Sequence, residues 1–177
     1  LAGIRVVITA GGTQEPIDAV RFVGNRSSGK MGWAVAAEAR HRGADVTVLA
    51  CNVTLPRVPG ITYVDTPTAA DLHGATVAAM PSCDVLVMAA AVADFRPAGE
   101  APGKIDKSGS DALELRLEKT PDILTEVTAG RRDGQVIVGF AAEHGQAGLE
   151  RARAKRRRKG VDVLVHNDIA RTGIGFG

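Results

Sequence analysis

Residues 4–10, Ile-Arg-Val-Val-Ile-Thr-Ala (IRVVITA), form a continuous β-branched run that ends in Gly11-Gly12-Thr13. A run of this kind, bounded by glycine, reads as a buried strand meeting a loop. Downstream, Ser27-Ser28-Gly29-Lys30 opens a helical stretch through Arg42, with Met31, Ala34, Val35 and Ala39 expected on its apolar side. Gly43 closes that helix, after Arg40, His41 and Arg42 have placed cations at its negative end. The second strand is Asp45–Ala50 and a short third lies near Ile61–Val64.

The alternation continues to the end of the chain. Thr66-Pro67-Thr68 starts a helix that runs towards Met80 and stops before Pro81. Asp84–Ala91, Gln135–Phe140 and Val161–His166 are three more strands, with a basic helix between the last two. Strands that are apolar on both faces and alternate with helices imply an α/β fold: a doubly wound, mainly parallel, Rossmann-like sheet with helices on both faces.

One segment breaks this pattern. Residues 98–109 are polar and glycine-containing, with Lys104-Ile105-Asp106-Lys107 at their centre. Residues 112–118, Ala-Leu-Glu-Leu-Arg-Leu-Glu, then alternate strictly, as a strand with one wet face does. Such a strand needs an edge partner. A C-terminal segment absent from this chain, or the same strand of a second subunit, would supply it.

Composition excludes several classes. The chain has 177 residues, fits a single domain spanning 1–177, and is 45% hydrophobic but only 3% aromatic, so Val, Ala, Leu and Ile must fill the core. The net charge of +2 hides a basic run at Arg151–Lys159, which leaves the rest mildly acidic and argues against a nucleic-acid binder. The apolar run from Val85 falls far short of the ~20 residues needed to cross a bilayer, so no membrane association is expected. Cys51 and Cys83 are the only cysteines, with no CxxC spacing, and read as small hydrophobes of a reducing compartment, the cytoplasm.

The loop after the first strand is where a doubly wound sheet binds ligands. A dinucleotide site wants GxGxxG directly after Ala10. Here Gly11 and Gly12 open a long turn instead, and Ala50-Cys51-Asn52 stand where an acidic residue would end the second strand. Residues 24–30 (GNRSSGK) satisfy GxxxxGK of a P-loop, but Met31 replaces the Ser or Thr that would hold Mg²⁺. What remains is an anion site at a helix N-terminus beside Lys30, or a plain Ser-capped helix.

Other segments carry weaker signals. Ala89–Ala93 is a strand end of small residues, which lets a flat ligand approach the backbone, and Asp94 follows as a carboxylate for a metal or amine, or a cap. Lys104 and Lys107 sit on a loop that could cover phosphates or simply be solvated. Thr120-Pro121-Asp122-Ile123 is a helix start with Pro in the first turn. The run Arg151–Lys159 is either an exposed helix face or a polyanion patch; in the second case Lys155 and Lys159, four apart on a helix, can grip one phosphate group.

Taken in order, ITAGGTQEPIDAVRFVGNRSSGKMG, AAAVADFRP, KIDK, KTPDI, GFAAE and HND resemble the bacterial phosphopantothenoylcysteine synthetase (phosphopantothenate–cysteine ligase) family, from Ile8 to about Asp168. The resemblance implies ligation of L-cysteine to 4′-phosphopantothenate with CTP and Mg²⁺, through an acyl-cytidylate. It implies that Asn25 handles this intermediate, with Arg21 nearby and Lys104 leading a flap over residues 98–110. It further implies nucleotide contacts at Asp94, Thr120, Pro121, Asp122, Ile123, Phe140, Lys155 and Lys159, and backbone contacts at Ala90 and Ala91. Ser27, Ser28 and Lys30, in the turn begun by Gly11, are inferred from the helix end as triphosphate contacts. Asp94 is the nearest candidate for Mg²⁺.

Homodimerisation through a strand at about 112–118 is expected from the same resemblance, as is association with a flavin-dependent phosphopantothenoylcysteine decarboxylase domain. Asp106 and Thr120 depart from the family, which often has a basic residue and Asn there. The chain is expected to stop before a family C-terminal strand and helix. The alternative reading is therefore a truncated nucleotide-binding fragment without turnover.

Overall fold

A computed structural model describes residues 1–106, 112–143 and 147–168. In chain order the elements are β1 (Arg5–Gly11), β2 (Gln14–Pro16), β3 (Phe22–Gly24), α1 (Lys30–His41), β4 (Asp45–Cys51), β5 (Thr62–Asp65) and α2 (Ala69–Ala79). After a 3₁₀ turn at Met80–Ser82 come β6 (Val85–Met88), β7 (Phe95–Pro97), β8 (Leu117–Lys119), α3 (Ile123–Ala129), β9 (Val136–Glu143), α4 (Ala147–Lys159) and β10 (Val163–Asp168).

Six strands make one parallel sheet in the order β10-β9-β6-β1-β4-β5. The doubly wound expectation holds. Alternate residues of β1 point to opposite sides: Val6, Ile8 and Ala10 pack with Trp33, Ala36 and Ala39 of α1, while Val7 joins Leu72 of α2 and Ile123 and Val127 of α3. Each fully buried Ile or Leu contributes about 1.5–3 kcal/mol, and Ile8, Leu49, Leu72, Leu86 and Ile137 are all of this kind.

Three expectations need correction. The buried face of α1 is Gly32, Trp33, Ala36 and Ala39; Met31 and Ala34 are exposed and Val35 is half-buried. Trp33 sets this rotation, because its ring lies 5.0 Å from that of Tyr63 and its indole N–H donates to the Pro56 carbonyl at 2.8 Å. Strand β6 stops at Met88 rather than Ala91, because the Ala90 and Ala91 N–H groups turn to Thr9 Oγ1 and the Gly11 carbonyl.

The alternating segment finds its partner within the chain. Only Leu117–Lys119 forms a strand, antiparallel to β7, with Phe95 opposite Lys119 and Pro97 opposite Leu117. The Ala98 N–H extends the pairing to the Arg116 carbonyl at 2.9 Å. A second antiparallel pair, β2 with β3, lies beside β7. Of the flap at 98–110, residues 107–110, Lys107 among them, lie outside the described residues.

Gly11 ends β1 at φ 91°, where a Cβ would meet the Cys51 carbonyl oxygen at 2.0 Å. Only glycine permits the tight turn that starts the first loop.

Candidate functional site

Strands β1 and β6 are neighbours, but their connections depart to opposite faces of the sheet, which leaves a crevice beyond their C-terminal ends. A cleft of about 740 Å³ opens there. Its lining includes Asn25, Ser27, Ser28, Lys30, Ala90, Ala91, Asp94, Thr120, Pro121, Asp122, Ile123, Phe140, Lys155 and Lys159. Gly11, Arg21 and Lys104 are not part of the lining. These residues bring five separate segments of sequence together at one place.

The floor is the bend at residues 89–93, and it is held from four directions. Thr9 Oγ1 accepts from the Ala90 N–H at 3.0 Å and Thr13 Oγ1 from the Ala93 N–H at 2.9 Å. Asn25 Nδ2 donates to the Val92 carbonyl at 2.8 Å, and the Thr120 hydroxyl to the Ala93 carbonyl at 2.6 Å. The amides of Ala90 and Ala91 are therefore bonded inward. The small side chains still leave the cleft open, but those two N–H groups do not face a ligand.

On one wall, α1 presents its N-terminus. Its N-cap is Gly29, in the left-handed region at φ 78° and without a side-chain cap. Ser27 Oγ accepts from the Gly29 N–H at 3.4 Å and Ser28 Oγ from the Lys30 N–H at 3.5 Å. The first turn carries no acid, so its positive end is left uncompensated there. The Lys30 side chain is exposed, and its ammonium has no partner among the described residues.

The opposite wall belongs to α3 and α4. Asp122, expected in the first turn, is instead the cap of α3: it accepts from the Thr125 N–H at 3.2 Å, so Pro121 precedes the helix and does not open its first turn. Lys159 pairs with Asp122 and also donates to Thr125 Oγ1 at 3.0 Å. Burial pushes the Asp122 carboxyl up, but the bonds from Lys159 and Thr125 outweigh it and hold it below the ordinary value. Lys155 Nζ donates to the Phe140 carbonyl at 3.2 Å. Arg158 lines the cleft as well; it lies three residues beyond Lys155 and so on the same helix face.

Arg21, outside the lining, is held by other groups. Its Nη1 pairs with Asp18 at 2.8 Å and its Nη2 donates to the Ile105 carbonyl at 3.4 Å, on the lysine-bearing loop. Burial raises the Asp18 carboxyl, yet the N–H groups of Val20, Ile105 and Arg21 and the Arg21 charge bring it below the ordinary value.

The Asp94 side chain is exposed in the cleft and has no partner among the described residues. No three His, Cys, Asp or Glu side chains gather as a metal cage among the described residues. One free carboxylate fits Mg²⁺, which is usually held by one or two carboxylates together with substrate phosphates.

Several residues that matter here gave little signal in the sequence. Asn52, at φ 52°, donates from Nδ2 to the carbonyls of Gly12 (3.0 Å) and Pro67 (2.9 Å), so it braces the glycine turn. Buried Glu15 accepts from the Ala69 N–H at 2.8 Å, at the start of α2. Both stand inside stretches whose motif value was visible, but their contacts are tertiary.

Comparison with known proteins follows this geometry. The family model of the DNA/pantothenate metabolism flavoprotein C-terminal domain matches residues 1–177. The coenzyme A biosynthesis bifunctional protein CoaBC of Mycolicibacterium smegmatis is 48% identical over 96% of this chain and 43% of its own length. The protein of the same name from Escherichia coli K12 is 42% identical over 99% of this chain and 44% of its own. The chain thus spans less than half the length of these curated relatives. A crystal structure of a CoaBC C-terminal domain superposes with a TM-score of 0.83, at 38% identity over 95% of this chain and 79% of that one.

Proposed function

Since the chain belongs to the DNA/pantothenate metabolism flavoprotein C-terminal domain family, we propose that it is a phosphopantothenate–cysteine ligase of coenzyme A biosynthesis that uses CTP. The observation that carries this reading is the convergence of Asn25, the α1 N-terminus, the 89–94 bend, residues 120–123 and the α4 lysines on one cleft.

The chemistry suits those groups. A carboxylate is a poor electrophile at neutral pH. Its oxygen attacks the α-phosphorus of CTP, a P–O bond breaks, and pyrophosphate leaves. The cysteine amine then attacks the acyl carbon, CMP departs with the bonding electrons, and the nitrogen loses a proton. Neither step requires covalent attachment to the protein, so positioning and charge neutralisation are its main tasks.

The triphosphate takes the α1 end with Ser27, Ser28 and Lys30, and the α4 side with Lys155 and Lys159. Asn25, fixed by Val92, faces the reacting acyl group. Lys104 brings a further cation. Asp94 and the nucleotide phosphates would hold Mg²⁺, which when bound withdraws charge from the phosphoryl oxygens.

A homodimer is part of this proposal. Val20, Phe22, Phe95, Leu113 and Leu117 expose large apolar surface on or beside the two small antiparallel pairs, and such surface fits a second copy. Fusion to a flavin-dependent decarboxylase is part of the same proposal, supported by the bifunctional relatives, of whose length this chain spans less than half. A cytoplasmic setting suits the unpaired Cys51 and Cys83. No helix among the described residues is long and apolar enough to cross a membrane.

Pyrophosphate release with CTP, ATP, GTP and UTP, each with Mg²⁺ and with or without 4′-phosphopantothenate, tests the assignment. Release that requires phosphopantothenate and prefers CTP supports it. CTP binding without any release supports the non-catalytic fragment instead. No binding of any nucleotide overturns both.

A further inference from the structure

The turn at Asp18–Arg21 holds one residue of the lysine-bearing loop at both of its backbone polar groups. Asp18 Oδ2 accepts from the Ile105 N–H at 3.1 Å, while Arg21 Nη2 donates to the Ile105 carbonyl at 3.4 Å. The two side chains are themselves paired, Arg21 Nη1 to Asp18 Oδ2 at 2.8 Å. Asp18 Oδ1 takes the Val20 and Arg21 N–H groups, each at 2.8 Å. A further bond, Ala101 N–H to the Ile17 carbonyl at 3.0 Å, fastens the same loop four residues earlier.

Asp18 is only 3% exposed. Burying a carboxylate is costly unless it is paired and hydrogen-bonded, and here four donors converge on it. A turn needs none of this expense to form, since a neutral Asn or Ser caps such loops routinely. What a carboxylate adds is the ability to accept from the loop N–H and hold the Arg21 guanidinium at once. Ile105 is the neighbour of Lys104, whose own side chain is exposed.

We propose that Asp18 is a positioning residue: acting through Arg21 and the Ile105 backbone, it fixes the main chain from which Lys104 projects. This rests on the ligase reading, in which the Lys104 ammonium meets developing phosphate charge. Holding the neighbouring residue at two points restricts the ammonium to the reach of its own side chain. Displacements of about 1 Å in such a group can cost 10²-fold in rate.

In Asp18→Asn an amide NH₂ can face the Ile105 N–H and Arg21 Nη1, two donors, and the Arg21 charge loses its partner. The expected result is a fall in kcat of about 10²-fold with little change in the CTP KM. Adding Lys104→Ala to Asp18→Asn should slow the enzyme no further than the slower single variant, since both disable one ammonium. Ile105→Pro removes the loop donor while keeping the Asp18 bonds to Val20 and Arg21, and should reproduce the kcat loss with a Tm only a few degrees lower; it decides the matter if Asp18→Asn does not fold.

Independent, multiplying effects of the two substitutions, or a natural kcat in folded Asp18→Asn or Ile105→Pro protein, would overturn the inference. The unmutated protein is assayed first. If it releases no pyrophosphate, the ligase reading has failed and takes this inference with it. If it does, and the substitutions multiply, the positioning role alone has failed.

Discussion

A Cβ added to Gly32 would lie 2.6 Å from the Cβ of Ala10 and 3.0 Å from the Thr9 carbonyl oxygen. Helix α1 therefore rests directly on the C-terminal end of β1, and this contact sets where Ser27–Lys30 face the cleft. Gly32→Ala should push the helix off the strand and cost about 1–3 kcal/mol. Thermal melting with a nucleotide titration checks this, and both Tm and affinity should fall.

Lys104→Ala should lower kcat by about 10²–10³-fold, the range seen when a donor to developing charge is removed. Steady-state kinetics at saturating CTP is the measurement. Because Lys104 does not line the cleft, CTP affinity should change little.

Asn25→Ala should impair the second step more than the first. The acyl-cytidylate then accumulates, visible as a pyrophosphate burst without matching CMP. The lost bond to Val92 should cost only about 1 kcal/mol in stability, so the kinetic effect is separable from unfolding.

Asp122 caps α3 and pairs with Lys159. Asp122→Ala should cost about 1 kcal/mol from the cap alone, a drop of about 2–4 °C in Tm for a chain of this size. Asp122→Asn keeps an acceptor for the Thr125 N–H but releases Lys159 from its charge partner. It should melt closer to the natural protein while altering the salt dependence of CTP binding.

Acid stability should depend on Asp84. Hydrogen bonds from the Arg5 side chain and backbone hold its carboxyl at about 2, against 3.8 for the free group. A depressed folded value gives stability that is complete above about pH 4 and is lost as pH falls towards about 2. Asp84→Asn should flatten that part of a denaturant-unfolding profile measured across pH, and leave the neutral region parallel.

The sheet was legible because β-branched runs such as residues 4–10 are apolar on both faces, and only a doubly covered parallel strand needs that. Gly43 likewise marked the end of α1, and it stands there at φ 86°. The rotation of α1 was not legible: apolar spacing alone favoured Met31 and Ala34, and the Trp33 bond to Pro56 is a tertiary contact. Residues 112–118 misled for a similar reason. Their period of two is genuine, but the number of paired residues depends on β7, whose sequence Phe-Arg-Pro gives almost no strand signal. In the site, charge and glycine patterns pointed to Lys30, Lys155 and Lys159. The roles of Glu15 and Asn52 were hidden because their bonds go to backbone distant in sequence, and that of Asp18 because its bond from Ile105 does.

The bend at residues 89–93 has a consequence for exchange with solvent. Its residues Ala90, Ala91 and Ala93 line a cleft open to solvent, yet the amide of each is already committed to Thr9, Gly11 or Thr13. Deuterium should therefore enter them only when β1 and the first loop come apart, far more slowly than their place at the mouth of a crevice suggests. Filling the crevice with nucleotide should slow that uptake further without adding a bond to any of the three.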